Sequence, residues 1–169
     1  MNLVKYNEDI IRRTPKEYEF TTEEAATELG DKLFDVMMSF RGVGLSATQI
    51  GIDAKMFVMG TKDTRMYVFN PEIISRSVET NLLDEGCLTY PGLFVAIKRP
   101  ANVVVSYTNE KNEKVVRELS GLSSRIFQHE YDHMVGKTFL DLASPLKLQL
   151  ALKKAKKRGI NYTLQELGK

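Results

Sequence analysis

Cysteine and histidine are scarce in this 169-residue sequence, which contains one cysteine, Cys87, and two histidines, His129 and His133. A single cysteine excludes an internal disulfide, so Cys87 is a buried structural thiol, a metal ligand or a nucleophile. Both histidines fall within one five-residue segment, which makes that segment a candidate functional site.

Long hydrophobic runs are absent as well. No stretch approaches the roughly 20 apolar residues that a membrane-spanning helix needs. The first eight residues lack the basic start, apolar middle and small-residue end of a signal peptide, and Glu8 and Asp9 argue against a transit peptide. We therefore expect a cytoplasmic protein. The net charge of +2 is too small to indicate binding to DNA or to a membrane.

The composition fits one globular domain. Hydrophobic residues make up 43% of the chain and charged residues 27%, an ordinary balance, and the length is sufficient to bury a core. No repeat, low-complexity segment or linker divides the sequence, so we predict a single domain over residues 1–169.

Three helices are predicted from apolar residues at helical spacing. They cover residues 20–41, 121–135 and 145–158. Thr21 is the expected N-cap of the first helix, with Glu24 completing a capping box. Pro145 suits the first turn of the third helix, with Ser144 as its cap.

Between residues 54 and 119 the pattern changes to short runs typical of strands. The runs are 55–59, 65–69, 72–78, 94–98 and 102–108, and turns are expected at Asn70-Pro71 and Tyr90-Pro91-Gly92. Because no helix separates these runs, antiparallel pairing is favoured. The expected fold class is α+β, with short antiparallel strands packed around a central helix that carries a His-Glu-x-x-His motif, plus an N-terminal and a C-terminal helix.

The motif runs from His129 to His133 and is typical of zinc hydrolases. Positions i and i+4 of a helix lie on one face, so both imidazoles can reach one metal ion. Glu130 lies close enough to act as a base on a water at that metal. The alternative is a surface turn with two incidental histidines. The apolar side of this helix, which includes Phe127, indicates burial and favours the metal site.

A catalytic metal of this kind needs a third protein ligand and one open position. One zinc-protease pattern requires histidine at position 139, which is Phe139 here, and another requires a later glutamate. Glu166 is the only glutamate after Glu130, and it lies in the polar C-terminal tail. Cys87 is the remaining candidate ligand, although a small buried hydrophobic residue is an equally good interpretation of it.

A third segment, residues 42–51, is rich in small residues. It is either the end of the first helix followed by tight packing, or a loop whose backbone lines a cleft while Gln49 donates an amide hydrogen bond.

Together these segments resemble the three signature motifs of the bacterial-type, iron- or zinc-dependent peptide deformylases, in the same order. The family pattern is Gly-φ-Gly-Leu-Ala-Ala-x-Gln, then Glu-Gly-Cys-Leu-Ser, then Gln-His-Glu-x-Asp-His-Leu-x-Gly. The matching segments here are 42–49, 85–89 and 128–136, and the resemblance spans about residues 20–155. Ser46, Thr89 and Met134 depart from the pattern, and none of them is a predicted ligand or base.

The resemblance implies hydrolytic removal of the formyl group from the formyl-methionine of nascent polypeptides, with release of formate. It implies that Cys87, His129 and His133 hold one divalent metal ion. Iron(II) is the implied native metal, and zinc, nickel or cobalt can substitute.

The resemblance also implies the roles of other residues. Glu130 is the implied base, and the Gln49 side chain and the Leu88 N–H stabilise the oxyanion. The implied substrate-binding residues are Val43, Gly44, Gly86, Leu122 and Ile126. Leu122 and Ile126 have a second interpretation as core, because helical apolar spacing usually means burial. Glu85 and Asp132 are candidates for orienting the ligands, with an ordinary salt bridge or a solvated carboxylate as the alternative.

The C-terminal helix is basic and has two interpretations. Its cations are Lys147, Lys153, Lys154, Lys156, Lys157 and Arg158. They form either a solvated helix end or a surface that docks on ribosomal RNA near the exit tunnel.

Three competing functions remain at this point. A metallopeptidase shares the helix motif but rarely uses a cysteine ligand. A catalytically silent relative is expected to lack Glu130 or Cys87. A structural domain without metal requires three motifs to coincide in order.

Overall fold

Seven strands form two antiparallel sheets in the computed structural model, which describes residues 2–169. Five of them pair in the order β1-β2-β3-β6-β7, and β4 and β5 form a separate two-stranded sheet. The strands are β1 (Gly44–Ser46), β2 (Met56–Gly60), β3 (Arg65–Arg76), β4 (Thr80–Cys87), β5 (Tyr90–Pro100), β6 (Val103–Thr108) and β7 (Lys114–Leu119).

Three helices accompany the sheets: α1 (Glu23–Ser39), α2 (Gly121–Met134) and α3 (Pro145–Lys157). Three single turns of 3-10 helix lie at Asp9–Ile11, Ala47–Ile50 and Phe139–Asp141. The predicted α+β class is confirmed, with the helices close to their expected positions. None of the helices in residues 2–169 is long and apolar enough to cross a membrane.

The cap of α1 lies one residue later than predicted. Thr22, not Thr21, is in the extended conformation that precedes the helix, and its hydroxyl accepts the N–H of Ala25 at 3.1 Å. Two adjacent threonines make the choice ambiguous in sequence. The predicted cap of α3 is confirmed, because the Ser144 hydroxyl accepts the N–H of Lys147.

Two predicted turns lie inside strands. β3 continues through Asn70-Pro71, where the register with β6 shifts and Asn70 adopts a left-handed φ of 48°. The Asn70 side chain stabilises this bulge, because its amide bonds both the N–H and the C=O of Tyr18. Tyr90-Pro91-Gly92 begins β5, and the true turn is Leu88-Thr89. Two of the strands, β3 and β5, are therefore longer than the predicted runs.

The helix α2 lies between the two sheets. Its apolar side packs on the five-stranded sheet, where the ring of Phe127 meets Phe57 edge-on with centroids 5.0 Å apart. Its polar side bonds to the β4–β5 hairpin through Arg125 and His129. On the other layers, α1 packs against β1 and β2, and α3 packs against β5. The central position predicted for the motif-bearing helix is confirmed.

One carboxylate ties the N-terminal segment to the C-terminal one. Asp141 accepts from Arg12 at 2.7 Å, from Lys169 at 2.6 Å and from the N–H of Thr138 at 2.8 Å. Burial alone raises the pKa of Asp141, but the bonds from Lys169 and Thr138 and the charge of Arg12 lower that pKa below its usual value.

A depressed folded-state pKa stabilises the fold above the unfolded pKa of about 3.9, and the contribution is lost as the pH falls through the folded pKa. We therefore expect Asp141→Asn to lower the free energy of unfolding by about 1 kcal/mol at pH 7. The difference from the parent should shrink below about pH 3. Urea denaturation at both pH values measures it.

Asp63→Asn is the matched control, because that exposed carboxylate forms no ion pair with any residue from 2 to 169. A gap for Asp141→Asn that is equally large at low pH would contradict the electrostatic explanation.

Candidate metal centre and active site

Three side chains that could hold a metal ion meet where the β4–β5 turn faces α2. Cys87 ends β4, and His129 and His133 lie one helical turn apart on α2. Their ligand atoms all lie within 4.8 Å of one another, and the three residues are buried, with exposed fractions of 8%, 8% and 1%.

The geometry of this cluster fits a tetrahedral metal ion. Metal–sulfur bonds of about 2.3 Å and metal–nitrogen bonds of about 2.0 Å, at a tetrahedral angle, place sulfur and nitrogen about 3.5 Å apart. The Sγ of Cys87 lies 3.6 Å from Nε2 of His133. One thiolate and two imidazoles form a donor set typical of catalytic sites with one position left open.

The cysteine is prepared to bind as a thiolate. Burial by itself raises the pKa of the Cys87 thiol, but hydrogen bonds from His129 and His133 outweigh it and hold the pKa well below its usual value. Since the thiolate is the form that ligates metals, the cluster favours binding. Cys87 also packs within a buried apolar cluster that includes Leu93 and Phe139, so both interpretations of this residue describe part of its surroundings.

His129 is oriented from behind by a carboxylate. Glu85 on β4 places Oε2 2.9 Å from Nδ1 of His129, which leaves Nε2 as the ring nitrogen on the cluster side. Burial raises the pKa of Glu85, but hydrogen bonds from His129 and Arg99 more than offset it and lower the pKa to about 2. A carboxylate that stays ionised fixes the tautomer of the imidazole it accepts from.

Arg99 joins the two carboxylates whose roles the sequence left open. Its guanidinium pairs with Glu85 through two bonds of 2.6 and 2.9 Å and with Asp132 at 2.9 Å. Asp132 therefore forms a salt bridge, and Glu85 both forms one and bonds a histidine of the cluster.

Glu130 is a buried carboxylate beside the cluster. It is 3% exposed, and its Oε2 accepts the Ser46 hydroxyl at 2.7 Å. Burial raises the pKa of Glu130, while the charges of His129 and His133 oppose this only in part. A raised pKa brings a carboxylate closer to the range in which it can both take and give a proton.

Gln49 is fixed at both ends of its amide. Its Oε1 accepts the N–H of Ser46 at 2.8 Å, so the other amide atom must be the Nε2 donor. That nitrogen donates to Cys87 Sγ at 3.3 Å and to Thr89 Oγ1 at 3.0 Å. The small-residue segment is thus a wall of the site as well as a tightly packed helix end.

A cleft of about 620 Å³ opens beside the cluster. Every residue predicted for catalysis or substrate binding lines it: Val43, Gly44, Gln49, Gly86, Leu88, Leu122, Ile126 and Glu130. Leu122 is 64% exposed, so the alternative of a core position is wrong for this residue. Cys87 and His129 also line the cleft, while His133 lies deeper.

The sequence did not indicate several residues around the site. Arg99 and Arg125 are nearly fully buried. Ser46, which in the sequence only departs from the family pattern, donates a hydrogen bond to Glu130. Phe94 lies on the cleft wall, against the backbone of Gly86. Among these residues, the sequence offered a signal only for Arg125. It lies four residues before His129, so helical spacing places it on the same face as that predicted ligand.

The α+β fold and a cluster of this kind on a helix are typical of hydrolases. Comparison with known proteins identifies the family. The polypeptide deformylase profile matches residues 1–149. The chain is 41% identical to the peptide deformylase of Thermotoga maritima over 124 residues, which is 73% of this chain and 76% of that protein. It is 33% identical to the enzyme of Bartonella henselae over 169 residues, covering 97% and 96%.

Solved structures agree. The fold is similar to that of Arabidopsis thaliana peptide deformylase 1B with a TM-score of 0.85 and 32% identity, covering 94% of this chain and 90% of that one. Similarity to the Thermotoga maritima crystal structure has a TM-score of 0.80 and 35% identity, covering 85% and 97%. This chain belongs to the polypeptide deformylase family, whose activity is deformylation of nascent peptides.

Gly44 is required by the position of Glu130. A methyl carbon at Gly44 would overlap Oε1 of Glu130 and lie 2.9 Å from its Cγ. Because the Glu130 side chain is buried, Gly44→Ala must displace the carboxylate. Because Glu130 is the predicted base, and misplacing a reacting group by about 1 Å has an effect of this size, we expect formate release from a formyl-methionyl peptide to fall roughly 100-fold.

Gly42→Ala is the comparison. Its methyl would meet Leu88 Cδ1 at 2.9 Å, which is the end of a side chain that can rotate away. The methyl would also lie 3.1 Å from Met37 Cγ and 3.3 Å from the Met37 carbonyl oxygen, contacts that a shift of a few tenths of an ångström relieves. We expect a much smaller loss from it, and equal losses from the two variants would show that the Gly44–Glu130 contact has no special importance.

Proposed function

We propose that this chain removes the N-terminal formyl group of nascent polypeptides by metal-dependent hydrolysis. The observation that carries the proposal is the buried Cys-His-His cluster beside Glu130, at the base of a cleft. Family membership supports the deformylase activity, and the cluster supports the dependence on a metal.

Cys87, His129 and His133 would hold one divalent ion per chain. We propose iron(II) as the native metal, with zinc, nickel or cobalt as substitutes, because a mixed thiolate and imidazole set suits all four. When bound, the ion supplies Lewis-acid polarisation of the formyl carbonyl and lowers the pKa of a water molecule.

Glu130 acts as the proton carrier. Its Oε2 is held by Ser46, which leaves Oε1, the atom beside Gly44, free to act. Oε1 takes the proton from the water that attacks the formyl carbon. The same carboxyl group then gives this proton to the nitrogen of the leaving amine, so formate and a free N-terminal methionine are the products.

Gln49 and Leu88 stabilise the charge that develops on the formyl oxygen. The amide of Gln49 is held in place, because its oxygen accepts the N–H of Ser46. Its Nε2 donates to Cys87 Sγ and Thr89 Oγ1, and one of these two bonds would be exchanged for a bond to the formyl oxygen. The N–H of Leu88, in the turn between β4 and β5, is the second donor. A preorganised donor of this kind contributes about 3 kcal/mol to lowering the barrier.

The cleft walls select the substrate. Val43, Leu122 and Ile126 offer apolar surface for the methionine side chain. The backbones of Gly44 and Gly86 both line the cleft, and the peptide pairs with backbone groups there as an added strand. Formyl is the smallest acyl group, and the buried base of the cleft admits it while excluding acetyl.

The surface of α3 is proposed to bring the enzyme to its substrate. Lys153, Lys154, Lys156 and Lys157 are exposed on this helix. We propose that they contact ribosomal RNA near the exit of the nascent chain, in the cytoplasm. Phosphate contacts of this type depend on charge and weaken as salt increases.

Glu130→Gln tests the central step. Protein purified without oxygen is expected to contain one divalent ion per chain, predominantly iron. The variant should keep this ion, because Glu130 is not a ligand, but release formate roughly 100- to 10,000-fold more slowly, because the proton carrier is gone. Metal analysis and a formate assay measure both quantities.

Glu118→Gln, an exposed carboxylate on β7, is the control and should behave as the parent. Formate release by Glu130→Gln at the parent rate, or full activity after chelation of the metal, would disprove the proposed mechanism.

Charge reversal tests the ribosome contact. Lys153→Glu with Lys157→Glu changes two positions on one helical face, and we expect roughly tenfold weaker co-sedimentation with ribosomes at moderate salt. Lys111→Glu with Lys114→Glu, on the β6–β7 hairpin, makes the same change in charge elsewhere. Equal binding by the two double variants would exclude α3 as the docking surface.

A further inference from the structure

Arg125 is a buried cation that has no role in the proposed reaction. It lies on α2, one turn before His129, and is 6% exposed. Its Nη1 donates to Glu85 Oε1 at 2.7 Å and to the carbonyl of Ile97 at 2.9 Å, and its Nη2 donates to the carbonyl and the side chain of Asn81. The guanidinium therefore spans from the metal-site helix to both strands of the hairpin.

The carboxylate of Glu85 is saturated only because Arg125 is present. Oε1 accepts from Arg99 at 2.6 Å and from Arg125 at 2.7 Å, while Oε2 accepts from Arg99 at 2.9 Å and lies 2.9 Å from His129 Nδ1. A carboxylate has about four acceptor sites, and all four are occupied. Its plane is thus fixed by donors on two sides.

The charges of this buried group also balance only with Arg125. Glu85 and Asp132 are two anions, and Arg99 bonds both of them. Arg125 supplies the second cation, so that the group is neutral when His129 is neutral. Without Arg125 a buried negative charge would remain uncompensated, and Arg99 alone would have to serve two carboxylates.

We propose that Arg125 is a positioning residue for the metal centre. It locks Glu85 so that the imidazole of His129 stays in one orientation, with Nδ1 protonated and Nε2 facing Cys87 and His133. Its effect is slow release of the metal ion. The inference rests on the metal centre of the proposed function and adds a residue that touches none of the three ligands' donor atoms.

Cobalt(II) release measures this effect without any turnover. Apoprotein is loaded with one equivalent of Co²⁺, and loss of its visible absorption is followed after adding excess chelator. Removing a partner of a metal ligand lowers metal affinity roughly 10- to 100-fold. We expect most of this loss to appear as faster release, so Arg125→Met should release Co²⁺ roughly 10- to 100-fold faster than the parent. The ligand-field bands should also shift, because His129 changes its orientation.

Gln128→Met separates positioning from general loosening of the helix. Gln128 is also buried on α2 and also bonds the hairpin, donating to the carbonyl of Pro100 at 3.0 Å, but none of its bonds reaches Glu85. We expect this variant to lose thermal stability while keeping the parent spectrum and release rate. Equal acceleration in the two variants would overturn the proposal.

A double-mutant cycle with Glu85→Gln identifies the route of the effect. If Arg125 acts through Glu85, then Arg125→Met accelerates release in the parent but adds no acceleration to Glu85→Gln. The proposal would be overturned if the double variant released Co²⁺ faster than the parent by the product of the two single-variant factors. Should Arg125→Met fail to fold, Arg125→Gln replaces it, because its neutral amide is two atoms shorter and does not reach Glu85.

The parent protein itself separates this inference from the proposed function. A parent that binds no Co²⁺ through its thiolate overturns both the metal centre and the role of Arg125. A parent that binds Co²⁺ tightly while Arg125→Met releases it no faster overturns the role of Arg125 alone.

Discussion

A buried carboxylate that accepts from both arginine and histidine requires three parts of the chain to fold together. Glu85 comes from β4, Arg99 from β5, and Arg125 and His129 from α2. An unpaired ion in the interior costs several kcal/mol. If one of these three elements detached, it would leave an unpaired buried charge on the other two. A two-stranded hairpin is at best marginally stable by itself and needs packing against another element. The bonds from the β4–β5 hairpin to α2 provide this attachment.

The helix α2 carries two kinds of surface, and this division places the active site. One side is apolar and packs on the five-stranded sheet through Phe127 and Met134. The other side presents Arg125, His129 and His133 to the hairpin. The polar side chains are therefore sealed between two layers, where hydrogen bonds are strong and water is scarce. The cleft opens at the edge of this polar interface between α2 and the hairpin, and substrate needs to reach only that edge.

Much of the site could be predicted because its signals are local. His129, Glu130 and His133 lie within five residues, so helical geometry alone places them together. The strand content was harder to predict. β4 has mostly exposed residues and no strong apolar alternation, and its pairing partner fixes it more than its own sequence does. Asn70-Pro71 has the composition of a turn, yet bonds to Tyr18 hold it as a bulge.

The arginine network could not be predicted for a related reason. The pairing of Arg125 with Glu85 joins residues 40 positions apart, and no periodicity in the sequence links them. Arginine is usually exposed on a helix, so residue type alone predicts a solvent-exposed Arg125, whereas this side chain is buried.

The position of the only sulfur nucleophile has a practical consequence. Cysteine occurs once in the sequence, and that thiol lines the cleft as part of the cluster. A thiol-reactive dye therefore finds one thiol per molecule, and a metal ion bound at the proposed centre would compete with the dye for this sulfur atom. The number of dye molecules bound per chain then gives the fraction of chains whose proposed metal centre is empty. This measurement needs neither substrate nor an assay of turnover.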